Sequence, residues 1–363
     1  MLKSIRLENF TVFQDARFNF GKNLNIIIGE NGAGKSHVLK ATYSAIAANA
    51  ARARDAGAGV LSKAYLQAAL AEKLQGVFRP DGLNRLVRRK VGRGKCVLTY
   101  GFEDPNLDLS FKFSTVSRSN LIVETMPTVR VKKLPVFLPT RELLTIYPGF
   151  VSTYETTDLE FEETWRDTCV LLGAPLARGP REASIKQMLT PLEEAMGGGI
   201  ILETPGKFYL RLATGKMEMH LVAEGLRKLA TVARLIATGS LLDTGYLFWD
   251  EPEANLNPKI IKAVAKTILE VSKSGVQVFI ATHSLFLMRE LHILQKQQFN
   301  TLDTRCFGLH IGVDNIVEVT QGATMDDVGD IAALDQELQQ SDRYIDTEMG
   351  LTLNSGAKVD QEK

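Results

Sequence analysis

The sequence predicts an α/β fold, a mixed and largely parallel sheet flanked by helices and interrupted by an inserted α+β arm. Three observations carry this. The apolar run Leu24–Ile28 ends in a glycine-rich turn and passes after Ser36 into a helical pattern, HVLKATYSAIAANAARARDA, with no Pro or Gly. Towards the other end, apolar strands alternate with helices, the rhythm of a parallel sheet. Between the two stretches the rhythm fails, and the glycine triplet 197–199 breaks a helix where it resumes.

Taken in order, SIRLENF and DARFNF alternate as half-buried strands that feed the buried LNIIIG. The middle third holds a helix over 60–75, a basic segment, and short strands at Cys96–Phe102, Leu107–Phe113, Leu121–Glu124 and VKKLPVFLPT. Phe161–Leu172 and Ile185–Met196 read as helices. FYLRLATGKMEMHL resembles a hairpin turning at Thr214–Gly215, and a helix over Leu226–Ala237 follows. Then come strand YLFWD, a helix from Pro258, strand VQVFIAT, another helix and the strands CFGLHIG and NIVEVT. The expected division is one domain from 1–50 and 201–322, an inserted arm over 51–200, an acidic helical segment over 323–350, and a disordered tail at 351–363.

Charge sets few limits. Lys and Arg total 43 against 42 Asp and Glu, so the net charge of +1 gives no global pull toward nucleic acid or an anionic membrane. Cys96, Cys169 and Cys306 lack metal-type spacing, and an odd count argues against a disulfide framework. No apolar run approaches the roughly 18 residues of a membrane span, and the first residues carry charge. The expectation is a cytoplasmic protein with no membrane partner.

Gly29-Glu30-Asn31-Gly32-Ala33-Gly34-Lys35-Ser36 satisfies the P-loop pattern and lies between strand and helix, the context the motif requires. Its glycines let backbone N–H groups face phosphate oxygens, and the helix N-terminus adds partial positive charge. Lys35 is expected on the β- and γ-phosphates and Ser36 on Mg²⁺. Strand YLFWD ends in Asp250 and Glu251, whose side chains leave a strand in opposite directions. Asp250 is expected to hold Mg²⁺, and Glu251 to polarise the attacking water. His283 follows the next apolar strand, where a polar group can sense the γ-phosphate, because parallel sheets gather ligand groups at their carboxyl ends. His37 is counted with the loop by position; its imidazole, like those of His220, His292 and His310, has no strand-end context.

With the P-loop, Asp250-Glu251, the turn Glu253-Ala254-Asn255-Leu256-Asn257-Pro258 and Ala281-Thr282-His283 in place, the chain resembles the ABC-type ATPases, matching Walker A, Walker B, D-loop and H-loop in order and spacing. Its opening, LENFTVFQDARFNFGKNLNIIIGENGAGKS, is similar to the SMC/RecF/OLD branch, not the transporter branch. The resemblance covers about 1–50 and 205–320. It implies a P-loop ABC-type head that dimerises around ATP and Mg²⁺, each nucleotide closed by the partner's signature motif. The corresponding segment is Leu221–Lys228, where Ala223 replaces the usual Ser while Gly225 remains able to face phosphate and Arg227 or Lys228 to compensate. The expected chemistry falls on Lys35, Glu251 and His283; nucleotide contact on Asn31, Gly32, Ala33, Gly34, Lys35, Ser36, His37 and Gly225; and metal on Ser36 and Asp250. No transporter-style glutamine loop is evident. Its place best fits Leu138–Glu142, where Arg141 or Glu142 either approaches the metal or belongs to an ordinary surface turn.

Arg85, Arg88, Arg89, Lys90, Arg93 and Lys95 form the densest basic run. It suits DNA or RNA phosphates or an acidic partner, and equally a solvated hairpin. Two functions are therefore carried forward. One is a homodimeric, or higher even-numbered, ATPase that regulates a separately encoded nuclease or toxin effector, as in the OLD and Septu-type phage-defence proteins it resembles. The other is a DNA-binding repair ATPase in the manner of RecF.

Overall fold

Every residue of the strand leading into the P-loop is buried, which places it at the centre of a sheet covered on both faces. The structure is a computed structural model, and it describes residues 1–50, 61–179, 182–203, 206–242, 244–312, 316–329 and 339–349. The chain opens with β1 (Leu2–Phe10), β2 (Phe13–Asn19) and β3 (Leu24–Gly29), then helices α1 (Lys35–Ala50) and α2 (Lys63–Phe78). It continues through β4 (Lys95–Phe102), β5 (Leu109–Ser114), β6 (Ile122–Thr125) and β7 (Val136–Leu138). Helices α3 (Tyr147–Thr156), α4 (Glu163–Leu172) and α5 (Glu182–Met196) precede β8 (Gly199–Glu203), β9 (Lys207–Leu212) and β10 (Gly215–Glu218). Alternation then sets in, with α6 (Glu224–Ala237), β11 (Tyr246–Asp250), α7 (Pro258–Lys273), β12 (Gln277–Thr282), α8 (Leu285–Gln298), β13 (Thr304–Ile311) and β14 (Val317–Gly322).

The central sheet has the order β14-β13-β3-β12-β11-β7, parallel except for β14. Side chains alternate across it with the two-residue period of a strand. Ile27, Phe137, Phe248, Phe279 and Phe307 face α1, α2 and a second sheet. Ile26, Ile28, Leu138, Trp249 and Ile280 face the core built with α6, α7 and α8. The second sheet is antiparallel, in the order β2-β1-β4-β5-β6, and β8–β10 form a third. Gln277, fully buried, ties the first two sheets: its Oε1 accepts from Leu2 N at 3.0 Å, and its Nε2 donates to the carbonyls of Leu2 and Gly21, each at 2.8 Å.

The described residues of the segment 51–200, expected as an inserted arm, are distributed among these layers. They supply β4, β5 and β6 to the sheet of β1 and β2, and β7 to the edge of the central sheet. Two elements had no counterpart in the sequence reading. Helix α3 contains Pro148 and Gly149 at a kink and buries only Phe150, and β8 is half-buried throughout, so neither shows a period. In the expected acidic segment, 326–328 form a helical turn and 339–349 a helix, while 330–338, 350 and the tail 351–363 lie outside the described residues. No helix among the described residues is long and apolar enough to cross a membrane.

Candidate active site

Strands β3, β12 and β11 run parallel and in register, pairing Ile28 with Thr282 and Asp250 with Ala281. Their carboxyl ends therefore deliver the P-loop, Thr282-His283 and Asp250-Glu251 to one edge, although more than 200 residues separate the first from the others. Val38 donates to the Gly34 carbonyl at 3.1 Å, the first bond of α1, so the N–H groups of Lys35, Ser36 and His37 precede the helical ladder. An anion at this terminus meets free donors and the positive end of the helix dipole. The Lys35 ammonium is folded onto the carbonyls of Gly29 (2.8 Å) and Glu30 (3.0 Å). Burial lowers its pKa, and Glu251, Asp250, Glu253 and Glu30 act in the opposite direction.

Asp250 is buried, and desolvation raises its pKa; the nearby Ser36 hydroxyl and the charges of Lys40 and Lys35 pull it back down, whereas Glu251 adds to the rise. Its Oδ1 has no hydrogen-bond partner. Beside it, Glu253 accepts from Thr282 Oγ1 at 2.6 Å and from His283 N at 3.3 Å, and its Oε2 is likewise buried and unpartnered. The Glu251 carboxylate is partly exposed and lies 3.5 Å from His283 Nδ1. Among the described residues no three His, Cys, Asp or Glu side chains group as a metal site. The available set is thus the Ser36 hydroxyl and the orphaned Asp250 oxygen, hard donors of the kind Mg²⁺ takes alongside water and substrate phosphates.

The structure thus brings together Lys35, Ser36, Asp250, Glu251 and His283, with Asn31 and Gly32 exposed on the loop and Ala33 packed beneath it. The His37 backbone belongs to the helix start, but its ring turns toward Phe78, 5.8 Å away, and burial pushes its pKa down to about 4. Gly225 lies at the start of α6, where a Cβ would meet the Asn255 carbonyl oxygen at 2.8 Å. Arg141 is exposed. Glu142 caps its own turn, accepting from Leu144 N (2.9 Å) and Thr145 Oγ1 (2.7 Å), and its Oε1 sits 3.1 Å from Arg227 Nε at an angle that misses a hydrogen bond. Two side chains were overlooked as members of the site. Lys40 follows Ser36 by four residues, hence on the same face of α1, and Glu253 repeats the acid two residues after Glu251; both spacings are visible in the sequence.

Comparison with known proteins places two family profiles on the chain, "AAA domain" over residues 4–70 and "AAA domain, putative AbiEii toxin, Type IV TA system" over 171–289. The DNA replication and repair protein RecF of Streptococcus gordonii is 45% identical over 42 residues, 12% of this chain and 12% of the relative. The DNA double-strand break repair Rad50 ATPase of Thermoplasma volcanium is 31% identical over 100 residues, 27% of this chain and 10% of the relative. The matches thus span about a tenth of these relatives' length. Among solved structures, an SMC head bound to the C-terminal winged-helix domain of ScpA aligns with TM-score 0.51 at 14% identity, over 90% of this chain and 98% of the other. An SMC head with an extended coiled coil, from a complex with the C-terminal domain of ScpA derived from Pyrococcus furiosus, aligns at 0.50 and 13%, over 95% and 99%.

Proposed function

We propose that the chain is an ABC-type ATPase of the SMC/RecF branch that binds and hydrolyses Mg²⁺-ATP between two copies of itself to regulate a separately encoded nuclease or toxin, in phage defence. The observation that carries the catalytic part is the convergence of Lys35, Ser36, Asp250, Glu251 and His283 on one sheet edge, where a buried carboxylate oxygen of Asp250 has no partner. Free N–H groups at the start of α1 and the Lys35 ammonium bind the phosphates. Ser36 and Asp250 would hold the metal, which when bound would offset the negative charge of the phosphates. The Glu251 carboxylate, open to solvent on one side, orients the attacking water and takes its proton. His283 sits close enough to Glu251 to steady that carboxylate and face the γ-phosphate. Gly225 and the start of α6 close the neighbour's nucleotide.

The effector part is prompted by the profile over 171–289, whose description includes "putative AbiEii toxin, Type IV TA system". Phosphate release from ATP with Mg²⁺, and its loss in Glu251→Gln with the closed dimer retained on a sizing column, tests the catalytic reading. Parental turnover in that variant removes Glu251 as the base. A second reading, a repair ATPase acting on DNA, is favoured by the RecF and Rad50 matches and by the exposed Arg85, Arg89, Lys90, Arg93 and Lys95 beside the β1–β2 turn. It requires ATP-dependent duplex binding that weakens steeply with salt, because phosphate contacts release counterions.

A further inference from the structure

Helix α6 begins at the surface expected to meet a neighbour's nucleotide, yet one turn in, Lys228 points the other way. Its side chain is 6% exposed, and its ammonium donates to the carbonyl of Glu251 at 2.5 Å and reaches that of Ala254 at 3.4 Å. Those carbonyls belong to the turn linking β11 to α7, in which two non-glycine residues hold positive φ, Glu251 at 45° and Asn255 at 62°. Such a backbone is strained by about 1–2 kcal/mol per residue and persists only where its surroundings hold it. Two further contacts join the same pieces. Asn255 Nδ2 donates to Glu224 Oε1 at 2.9 Å, and the backbone of Gly225 lies against the Asn255 carbonyl so closely that a Cβ there would come within 2.8 Å of its oxygen.

The ammonium is the strongest of the three links. Burial drives its pKa down to about 8, and the carboxylates of Glu253, Glu251, Asp250 and Glu224 draw it back up. The charge is out of water and answered by two carbonyl oxygens and a field of acids, an arrangement that leaves the group little freedom to move alone.

We propose that Lys228 is a positioning residue that fixes the Glu251–Ala254 turn and so makes the placement of the Glu251 carboxylate depend on the position of the start of α6. The inference rests on the ATPase reading above and adds a route within one chain. A neighbour that presses on Ala223–Gly225 when its own nucleotide closes shifts the helix that carries Lys228, and Lys228 passes the shift to Glu251 of its own site. In this role Lys228 acts through Glu251.

The test uses the full chain. Lys228→Met keeps the aliphatic stem and removes the donor, and the expected result is kcat lower by about tenfold or more with KM and the affinity for a fluorescent ATP analogue within about twofold of parent. In a Glu251→Gln background the same change should alter the residual kcat by less than about twofold, because its route runs through a base already removed. Parental kcat in Lys228→Met overturns the proposal, and so does an undiminished further loss in the double variant, the pattern of plain destabilisation. If Lys228→Met fails to fold, Lys228→Gln, which removes the charge and is one atom too short to span the two carbonyls as the ammonium does, carries the same comparison. A parent without turnover sinks the ATPase reading alone, since the link is also read from hydrogen exchange. The amides of Glu251 and Ala254, bonded to Ala281 and Glu251 carbonyls, should exchange faster in the variant, and unchanged protection counts against Lys228.

Discussion

Two glycines of the P-loop separate fold from function. Gly34 and Gly32 hold φ of +94° and +87°, so alanine at either incurs similar backbone strain, about 1–2 kcal/mol. Their surroundings differ. A Cβ at Gly34 would lie 2.7 Å from the Phe13 ring and 2.7 Å from a Val12 methyl, whereas at Gly32 nothing lies within 4 Å. Phe13 is fully buried and packs edge-on against Phe18 with centroids 6.1 Å apart, so it cannot yield without disturbing the core. Forced overpacking of this kind adds about 1–3 kcal/mol, which gives about 2–5 kcal/mol for Gly34→Ala against about 1–2 for Gly32→Ala. At about 2–4 °C per kcal/mol the two variants should melt several degrees apart, Gly34→Ala lower. The open face of Gly32 is where phosphate is expected, so Gly32→Ala should stay folded and lose nucleotide affinity by about tenfold or more, because its methyl occupies the cradle. Thermal melting and calorimetric titration read both effects. Equal melting points, or parental nucleotide affinity in Gly32→Ala, would refute the assigned roles of the two positions.

Other expectations test the remaining parts. Ala223 has the extended backbone of an N-cap and no side chain to use there, so Ala223→Ser should stabilise the start of α6 by about 1 kcal/mol and strengthen the ATP-dependent dimer seen by light scattering. An unchanged melting point would speak against that helix start. Burial pushes the thiols of Cys169 and Cys306 up to about 12 and raises that of Cys96, so a disulfide reagent should find no reactive thiol in the native chain and three after denaturation. Fast native labelling of any one would contradict the packing around it. The folded pKa of Lys228 lies below its unfolded value, so the charged form disfavours the fold below about pH 8, and stability returns as pH rises from there toward the unfolded pKa of about 10.5. Relative to Lys228→Met, the parent should therefore gain in melting point between those limits; a constant difference rules out burial of the charge.

The parts of the molecule with a strong local signal were legible from sequence. Leu24–Gly29 is an apolar run because both faces of its sheet are covered, and the P-loop follows it because the strand end and helix start are adjacent in the chain. The strand ending at Asp250 and the one ending at Thr282 announce themselves for the same reason. What the sequence hid depends on pairing between distant segments. Val136–Leu138 falls within the expected strand VKKLPVFLPT, but its place at the edge of the central sheet comes from lying beside Leu247–Trp249. Lys95–Phe102 alternates well enough to be read as a strand, but its partner, β1, is nearly a hundred residues away, and no local pattern reports that. Lys228 illustrates the same limit inside the site. Three residues after Gly225 it reads as a cation able to face a partner's phosphate, and only the packing of α6 against the Glu251–Asn255 turn makes it an internal one.

The electrostatics of the strand ends explain why so costly an arrangement persists. Asp250 and Glu253 each bury an oxygen without a partner, a penalty of about 1–3 kcal/mol for a polar group and more for a charged one. Glu253 uses one oxygen locally, accepting from Thr282 and His283, which leaves its other oxygen and Asp250 Oδ1 without a partner. Three lysines answer the negative field from different directions: Lys35 and Lys40 from the helix after the P-loop, and Lys228 from the helix at the expected dimer surface. On the proposed reading, a carboxylate cluster held by cations on two separate helices would respond to two signals, the chain's own nucleotide at α1 and a neighbouring copy at α6. Metal and phosphate at α1 would satisfy Asp250 and withdraw Lys35 from the carbonyls of Gly29 and Glu30 that it now occupies. The lysine left to balance Glu251 and Glu253 would then be Lys228, so on the proposed reading the second helix, and through it a second copy, would gain influence once nucleotide is bound.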